Sequence, residues 1–265
     1  MPTYQLYLFG PPRLKRDNET LELRHRKAIA LLAYLAVTKQ PHSRDTLATL
    51  LWPEYGQSEA RTHLRRELLR LRKLMGNEMF DADREQIALQ ANAPIWIDVD
   101  EYRQQLEKSQ NCREQHKSAG VEQDLCEICL SFLTNAITCY VDGFMAGFTL
   151  SDCPNFDDWQ YFESEELHQT LTAALLRLVR GHRAREEFDQ AIDYARRWLS
   201  LDSLDESAHR ELMTLYVQNG QQAAALRQYQ ACQRILDDEL GVPPEDETTE
   251  LYEAIRTRKF DKTTR

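Results

Sequence analysis

The sequence predicts a mainly α protein with a small β component, in which a sheet, three helices and a hairpin precede a longer run of helices. Three observations lead there. Apolar spacing alternates near residue 4 and shifts to helical recurrence from about residue 28. Pro41, Pro53 and Gly76 punctuate the first part of the chain and stop its helices early. The C-terminal part repeats itself at a spacing of 34 residues. The chain is 265 residues long, 42% hydrophobic and 29% charged, with nine Gly and nine Pro. That composition suits one or two globular domains and argues against disorder. No charged segment leads into an apolar run after Met1, and no apolar run reaches membrane-spanning length. The expectation is a cytoplasmic protein without a membrane span, whose six Cys are reduced thiols.

The elements follow in order. Residues 4–9 (Tyr-Gln-Leu-Tyr-Leu-Phe) predict a strand. Asp17-Asn18 is a turn signal between two short alternating segments, so a small antiparallel sheet is expected. Ala28, Leu31, Leu32, Leu35 and Ala36 form one face of a first helix that ends by Pro41. Ser43 is suited to cap a second helix with Leu47, Leu50 and Leu51 buried, ending at Trp52-Pro53. Ser58 is suited to cap a third, running to Met75 and closed by Gly76. Short strands are expected at Met79-Phe80, at 87–89 beyond a polar turn around Asp83-Arg84-Glu85, and at 95–97. Sheet, helices and hairpin in this order are the parts of a winged helix-turn-helix. Further helices are expected over 99–107, 125–140, 156–182, 186–201, 205–219, 221–240 and 248–258. A shift of 34 residues maps Leu178 onto Leu212, His182 onto Tyr216, Ala191-Ile192 onto Ala225-Leu226, and Trp198 onto Cys232. That is the tetratricopeptide period, although Gly220 at one inter-helix turn is matched by Glu186 at the other. The expected domains are a winged helix-turn-helix over 1–98 and a tetratricopeptide-like all-α helical-repeat domain over 99–265.

Net charge divides the same way. Residues 1–100 carry 15 Lys/Arg against 13 Asp/Glu, a net of +2, and residues 101–265 carry 18 against 30, a net of −12. The basic charge is concentrated in the third helix, where residues 61–73 hold six basic side chains and only Glu67 of opposite sign. On a helical wheel Leu64, Leu68, Leu71 and Met75 form the packing stripe. Thr62, Arg66, Leu69, Arg70 and Lys73 lie opposite, flanked by Arg61, Arg65 and Arg72. An α-helix fits the DNA major groove, where Arg pairs with guanine and Thr or Leu can touch a thymine methyl. Thr62, Arg66 and Arg70 are therefore the candidate base readers. Arg44, Arg61, Arg65, Arg72, Lys73 and Arg84 are the candidate phosphate contacts, with Arg84 at the hairpin tip. A basic helix with one apolar stripe is also a common solvated surface helix; the capped helix before it and the hairpin after it favour DNA.

The segments Leu51-Trp52-Pro53-Glu54 and Ala60-Arg61-Thr62-His63-Leu64-Arg65-Arg66-Glu67-Leu68-Leu69-Arg70-Leu71-Arg72-Lys73-Leu74-Met75-Gly76 resemble the DNA-binding domain of SARP-type bacterial activators. Tyr140-Val141-Asp142-Gly143-Phe144-Met145-Ala146-Gly147-Phe148, Phe156-Asp157-Asp158-Trp159, Ala208-His209-Arg210-Glu211-Leu212-Met213 and residues 236–244 resemble the bacterial transcriptional activator domain that follows it in that family. The resemblance implies binding to direct repeats near a promoter and recruitment of RNA polymerase, with Thr62, Arg66 and Arg70 facing the groove; the helical-repeat domain is expected to mediate self-association on repeated half-sites, as a homodimer on DNA. Leu69 stands where response-regulator relatives often carry a basic residue, which leaves base preference open. No Gly-x-x-x-x-Gly-Lys-Ser/Thr loop of the family's ATPase-bearing members occurs.

Other constellations are weaker. Cys112, His116, Cys126 and Cys129 have spacing compatible with a structural zinc, although Cys126 and Cys129 one helical turn apart also suit a core face. No other cofactor is implied. Phe144, Phe148, Phe156, Trp159, Tyr161 and Phe162 suit an aromatic connector within a helical core better than a ligand pocket. Asp157-Asp158, Glu163, Glu165 and Glu166 suit a solvated acidic face that could also meet a basic partner. No nucleophile, hydrolase-metal or phosphate-loop motif supports an enzyme. The competing reading is a protein-interaction scaffold in which the repeats hold peptides and the winged helix is a docking surface. A steep fall of affinity with salt separates DNA binding from that reading. A third reading, a small-molecule sensor, would show a ligand-dependent melting shift.

Overall fold

A computed structural model describes residues 4–118 and 126–259, with side chains to residue 115 in the first stretch. The first sheet contains β1 (Tyr4–Tyr7), β2 (Arg13–Arg16), β3 (Glu19–Leu21) and β7 (Ile95–Ile97), in the order β3-β2-β1-β7. Asp17 and Asn18 join β2 to β3 with φ of 50° and 70°. Both lie in the left-handed region that a two-residue hairpin turn requires and that Asp and Asn tolerate. Next come α1 (Arg26–Thr38), β4 (His42–Ser43), α2 (Arg44–Leu51) and α3 (Gln57–Met75). The hairpin of β5 (Phe80–Ala82) and β6 (Gln86–Leu89) follows a 3-10 turn at Asn77–Met79, and β4 pairs with β6 to give a second sheet, β4-β6-β5.

Local chemistry explains the helix ends. Ser43 caps α2, its hydroxyl accepting from the Thr46 N–H at 2.9 Å. The expected cap of α3 is corrected: the helix starts two residues earlier, at Gln57 with Gly56 as its N-cap, and the Ser58 carbonyl accepts the Thr62 hydroxyl at 3.0 Å. Strand β7 is not part of the hairpin region but pairs in parallel with β1, Leu6 opposite Ile97. That pairing joins segments about 90 residues apart, which local patterning does not encode. The two-residue β4 is too short to show an alternation at all.

The remaining helices are α4 (Asp98–Ser118), α5 (Glu127–Cys139), α6 (Pro154–Ala184), α7 (Phe188–Leu201), α8 (Glu206–Gln218), α9 (Gln222–Leu240) and α10 (Asp246–Arg256). Helix α4 runs past its expected end at 107, because Glu107, Lys108, Gln110 and Glu114 are good helix formers even without an apolar stripe.

Two compact units form. The first comprises Met1–Gln105 with Thr138–Gln169, the second Leu106–Ile137 with Thr170–Arg265. In the first, the buried Asp98 carboxylate at the start of α4 accepts the N–H groups of Leu8, Phe9 and Val99 at 2.8–2.9 Å. Phe9 packs on Tyr140 and Tyr102, with ring centroids 4.4 and 5.4 Å apart, and Gly10 donates its N–H to the Gly143 carbonyl. Trp159 meets Tyr34 and Phe144 edge-on. The aromatic segment is thus largely core, although Tyr161 and Phe162 are exposed. The acidic face is also less solvated than expected. Glu163 is paired with Arg103, and burial raises its pKa.

In the second unit α7, α8, α9 and α10 pack in succession. Ala191, Ile192, Leu212, Tyr216 and Ala225 lie in one buried cluster with Leu226 packed against it, so most residues related by the 34-residue shift are core residues, while His182 is half-buried. The turns obey the same relation. Glu187 donates its N–H to the His182 carbonyl and Gln221 to the Tyr216 carbonyl, while Glu186 donates to Arg183 and Gly220 to Val217. Glu186 adopts φ 59° where Gly220 adopts 74°, so the non-glycine residue takes the same left-handed turn.

Candidate nucleic-acid interface

Helix α3 buries Ala60, Leu64, Leu68, Leu71 and Met75, the stripe expected from its spacing, together with Glu67. Complete removal of those leucines from water stabilises the helix by roughly 1.5–3 kcal/mol each and fixes which face turns outward. Thr62, Arg65, Arg66, Leu69, Arg70 and Lys73 are exposed. Leu69 is 52% exposed.

Between α3 and the β5–β6 hairpin lies a cleft of about 430 Å³ lined by Arg44, Arg61, Arg65, Arg72, Arg84, Leu68, Leu69 and Asp83. Five of the six sequence-predicted phosphate contacts therefore converge on one surface. Lys73 is exposed but is not part of this lining. The candidate base readers Thr62, Arg66 and Arg70 project from the adjoining outward face of α3 and do not line the cleft.

Partners decide how free each side chain is. Arg44 donates through Nε and Nη2 to the Asp83 carbonyl at 2.9 and 2.6 Å, and its own N–H bonds the Glu85 carbonyl, so it braces the hairpin as well as charging the cleft. Its pKa is lowered, first by burial and then by the nearby positive charges of Arg65 and Arg72. An arginine stays protonated regardless; the shift records burial first and crowding of like charge second, and an anion relieves the crowding. Arg61 forms a two-point ion pair with Asp45 at 2.5 and 2.6 Å, and the Arg61 hydrogen bonds hold the Asp45 carboxyl below its usual range. Among the described residues the buried Arg72 Nε has no hydrogen-bond partner. Arg70 pairs with the buried Glu67 one turn earlier. Among the described residues Arg66 has no ion pair.

The hairpin tip is shaped by Asp83, whose carboxylate accepts the N–H groups of Glu85 and Gln86 at 2.7 Å and is held acidic by them. Asp45, Glu67 and Asp83 position arginines of the site but are not singled out by sequence reasoning. Asp83 carries a local signal as an Asp within a turn, and Glu67 carries one as an acid three residues before Arg70 on one helix. Asp45 meets Arg61 across 16 residues of chain.

The suggested metal ligands divide. Cys112, Cys126 and Cys129 come together in the second unit, whereas the side chain of His116 lies outside the described residues. Burial and neighbouring sulfurs push the Cys129 thiol up; burial also pushes Cys126 up, but N–H and thiol donors outweigh it and leave that thiol lowered.

The sequence model of the bacterial transcriptional activator domain matches residues 97–256. No curated protein matches the chain. Among solved structures, that titled Mycobacterium tuberculosis EmbR in complex with low affinity phosphopeptide superposes with a TM-score of 0.71 at 21% identity. The match covers 97% of this chain and 66% of that one, so this chain spans just under two thirds of that protein's length, and the likeness is one of fold.

Proposed function

The chain belongs to the bacterial transcriptional activator domain family, a family of transcription activators and not of enzymes, and from that premise we propose that it is a SARP-type, sequence-specific DNA-binding activator. The observation that carries the proposal is the convergence of Arg44, Arg61, Arg65, Arg72 and Arg84 on one cleft between an outward-facing helix and a hairpin. Phosphates of double-stranded DNA neutralise that crowding and supply most of the affinity. Helix α3 enters the major groove, with Thr62, Arg66 and Arg70 toward base edges and Lys73 toward the backbone. The wing around Arg84 contacts the neighbouring strand.

Function divides near residue 98: every proposed DNA contact precedes it, and the family match begins at 97. The helices beyond mediate self-association on promoter repeats and offer an acidic surface, net −12 over residues 101–265, to RNA polymerase. The protein works in the bacterial cytoplasm. Among the described residues no helix is long and apolar enough to cross a membrane.

Fluorescence anisotropy on genomic fragments enriched by the purified protein, across a salt series, tests this. A short repeated site should be bound far more tightly than random DNA. Arg66→Ala should cost about 1–3 kcal/mol on that site. Arg65→Ala and Arg72→Ala should weaken binding to every sequence and reduce the log-salt slope by about 1 each. Arg70 must leave Glu67 before it reads a base, so Arg70→Ala should cost less than Arg66→Ala. Unchanged affinity in both Arg66→Ala and Arg70→Ala would overturn the assignment of the reading face.

A further inference from the structure

Cys112 lies on α4, Cys126 directly before α5, and Cys129 in the first turn of α5. Their three sulfurs lie within 4.8 Å of one another. Cys126 and Cys129 one turn apart are explained by a helix face turned to the core. Cys112 is not, because it arrives from another helix, 14 residues from Cys126, and brings its sulfur to 3.8 Å from the Cys126 sulfur. Thiolates bound to zinc at about 2.3 Å sit roughly 3.8 Å apart at the corners of a tetrahedron, so the Cys112–Cys126 separation already equals one edge. The Cys129 N–H points at the Cys126 sulfur at 3.4 Å, a donor that favours a thiolate there. Cys129 is buried and the other two are half-buried, so the cluster has an inner wall and an outer opening.

We propose that Cys112, Cys126 and Cys129 are a thiolate site for Zn²⁺ that staples α4 to α5, with the fourth coordination position supplied from outside this triad. Three thiols release three protons on binding one zinc ion; no electron is transferred and no oxidant is needed. The site belongs to the second unit and shares no residue with the proposed DNA-binding surface of the first, so its presence or absence is independent of the function proposed above.

The test uses the full chain, purified under reducing conditions from zinc-supplemented cells. Elemental analysis should find zinc at close to one per chain. Cobalt added to zinc-stripped protein should give an intense sulfur-to-cobalt charge-transfer band together with the visible bands of a tetrahedral ion. Cys126→Ser, at a half-buried position where folding is spared, should lose most of that intensity and the tightly held zinc. Cys232→Ser, whose buried cysteine lies in another helix, should keep both. Chelation should lower the melting temperature of the parent and leave that of Cys126→Ser unchanged. Reduced parent protein that holds no zinc and gives no charge-transfer band would overturn the proposal. So would a Cys112–Cys126 disulfide that forms readily in air and excludes cobalt, which would mark the pair as a redox couple. Equal cobalt spectra in parent and Cys126→Ser would also overturn it.

Discussion

His209 is buried on α8 with Nε2 3.1 Å from the Ser203 carbonyl and Nδ1 2.7 Å from the Gln228 side-chain nitrogen. A carbonyl oxygen only accepts and an amide nitrogen only donates, so the ring is neutral with its proton on Nε2. Burial depresses its pKa against the opposing pull of the Ser203 carbonyl and nearby acids. His42, between Tyr34 and the Thr38 hydroxyl, is depressed by burial as well. The unfolded chain takes up these protons near pH 6.5, while the folded chain takes them up only at lower pH. Their contribution is therefore present above pH 6.5 and is lost as pH falls through the lower folded values. Asp98 and Glu163, raised by burial, act in the opposite sense, so the comparison of parent with variant isolates each histidine. Melting temperatures from pH 7 to pH 5 should fall less steeply in His209→Gln and in His42→Gln than in the parent. Parallel curves would mean that neither ring resists protonation. At this scale the sequence placed Arg66 and Arg70 on the outward face of α3, where both side chains are exposed. It missed Asp45, because that ion pair depends on which helix faces which, whereas the pairing of Glu67 with Arg70 three residues later lies within one helix.

Each turn of the helical repeats closes on a left-handed residue, Gly220 in one and Glu186 in the other. A side chain in that conformation costs about 1–2 kcal/mol, partly offset by the lower entropy of its unfolded chain. Glu186→Gly should therefore stabilise the protein by about 0.5–1 kcal/mol, and Gly220→Ala should destabilise it by about 1 kcal/mol, both read from urea unfolding. A Cβ at Gly220 would meet open space, so its cost is one of backbone alone. If Glu186→Gly proves destabilising, ion pairs or capping at this turn outweigh the backbone term. In α3, Leu64→Ala should cost about 2–5 kcal/mol, as Leu64 is a fully buried member of the stripe. The same spacing that predicted its burial fixes the outward face, which is why α3 was legible and the two-residue β4 was not.

The compact unit that carries the basic cleft includes residues far along the chain, Thr138–Gln169. Phe9, Tyr102, Tyr140, Phe144, Phe156 and Trp159 are packed within it. A fragment of residues 1–98 would keep every proposed DNA contact but expose Leu8 and Phe9, and would lose the Tyr102, Tyr140 and Trp159 rings. It should melt well below the parent or without cooperativity, as followed by near-ultraviolet circular dichroism. A fragment that melts cooperatively at the parent temperature would mean that the distal segment adds little stability. Functional and folding boundaries need not coincide here, since DNA contacts come from contiguous elements whereas the core recruits whatever apolar surface fits.

Sequence by itself determined the mainly α class, the order of elements, the outward face of α3, the 34-residue repeat and the family, because helical periodicity, caps, turns and charge runs are local properties of the chain. Tertiary structure alone decided the parallel pairing of β1 with β7, the gathering of five arginines into one cleft, the pairing of half-buried Glu163 with Arg103 and the meeting of Cys112 with Cys126 and Cys129. Each of those joins residues distant in sequence, and their encounter depends on how helices and strands pack, which no periodicity records.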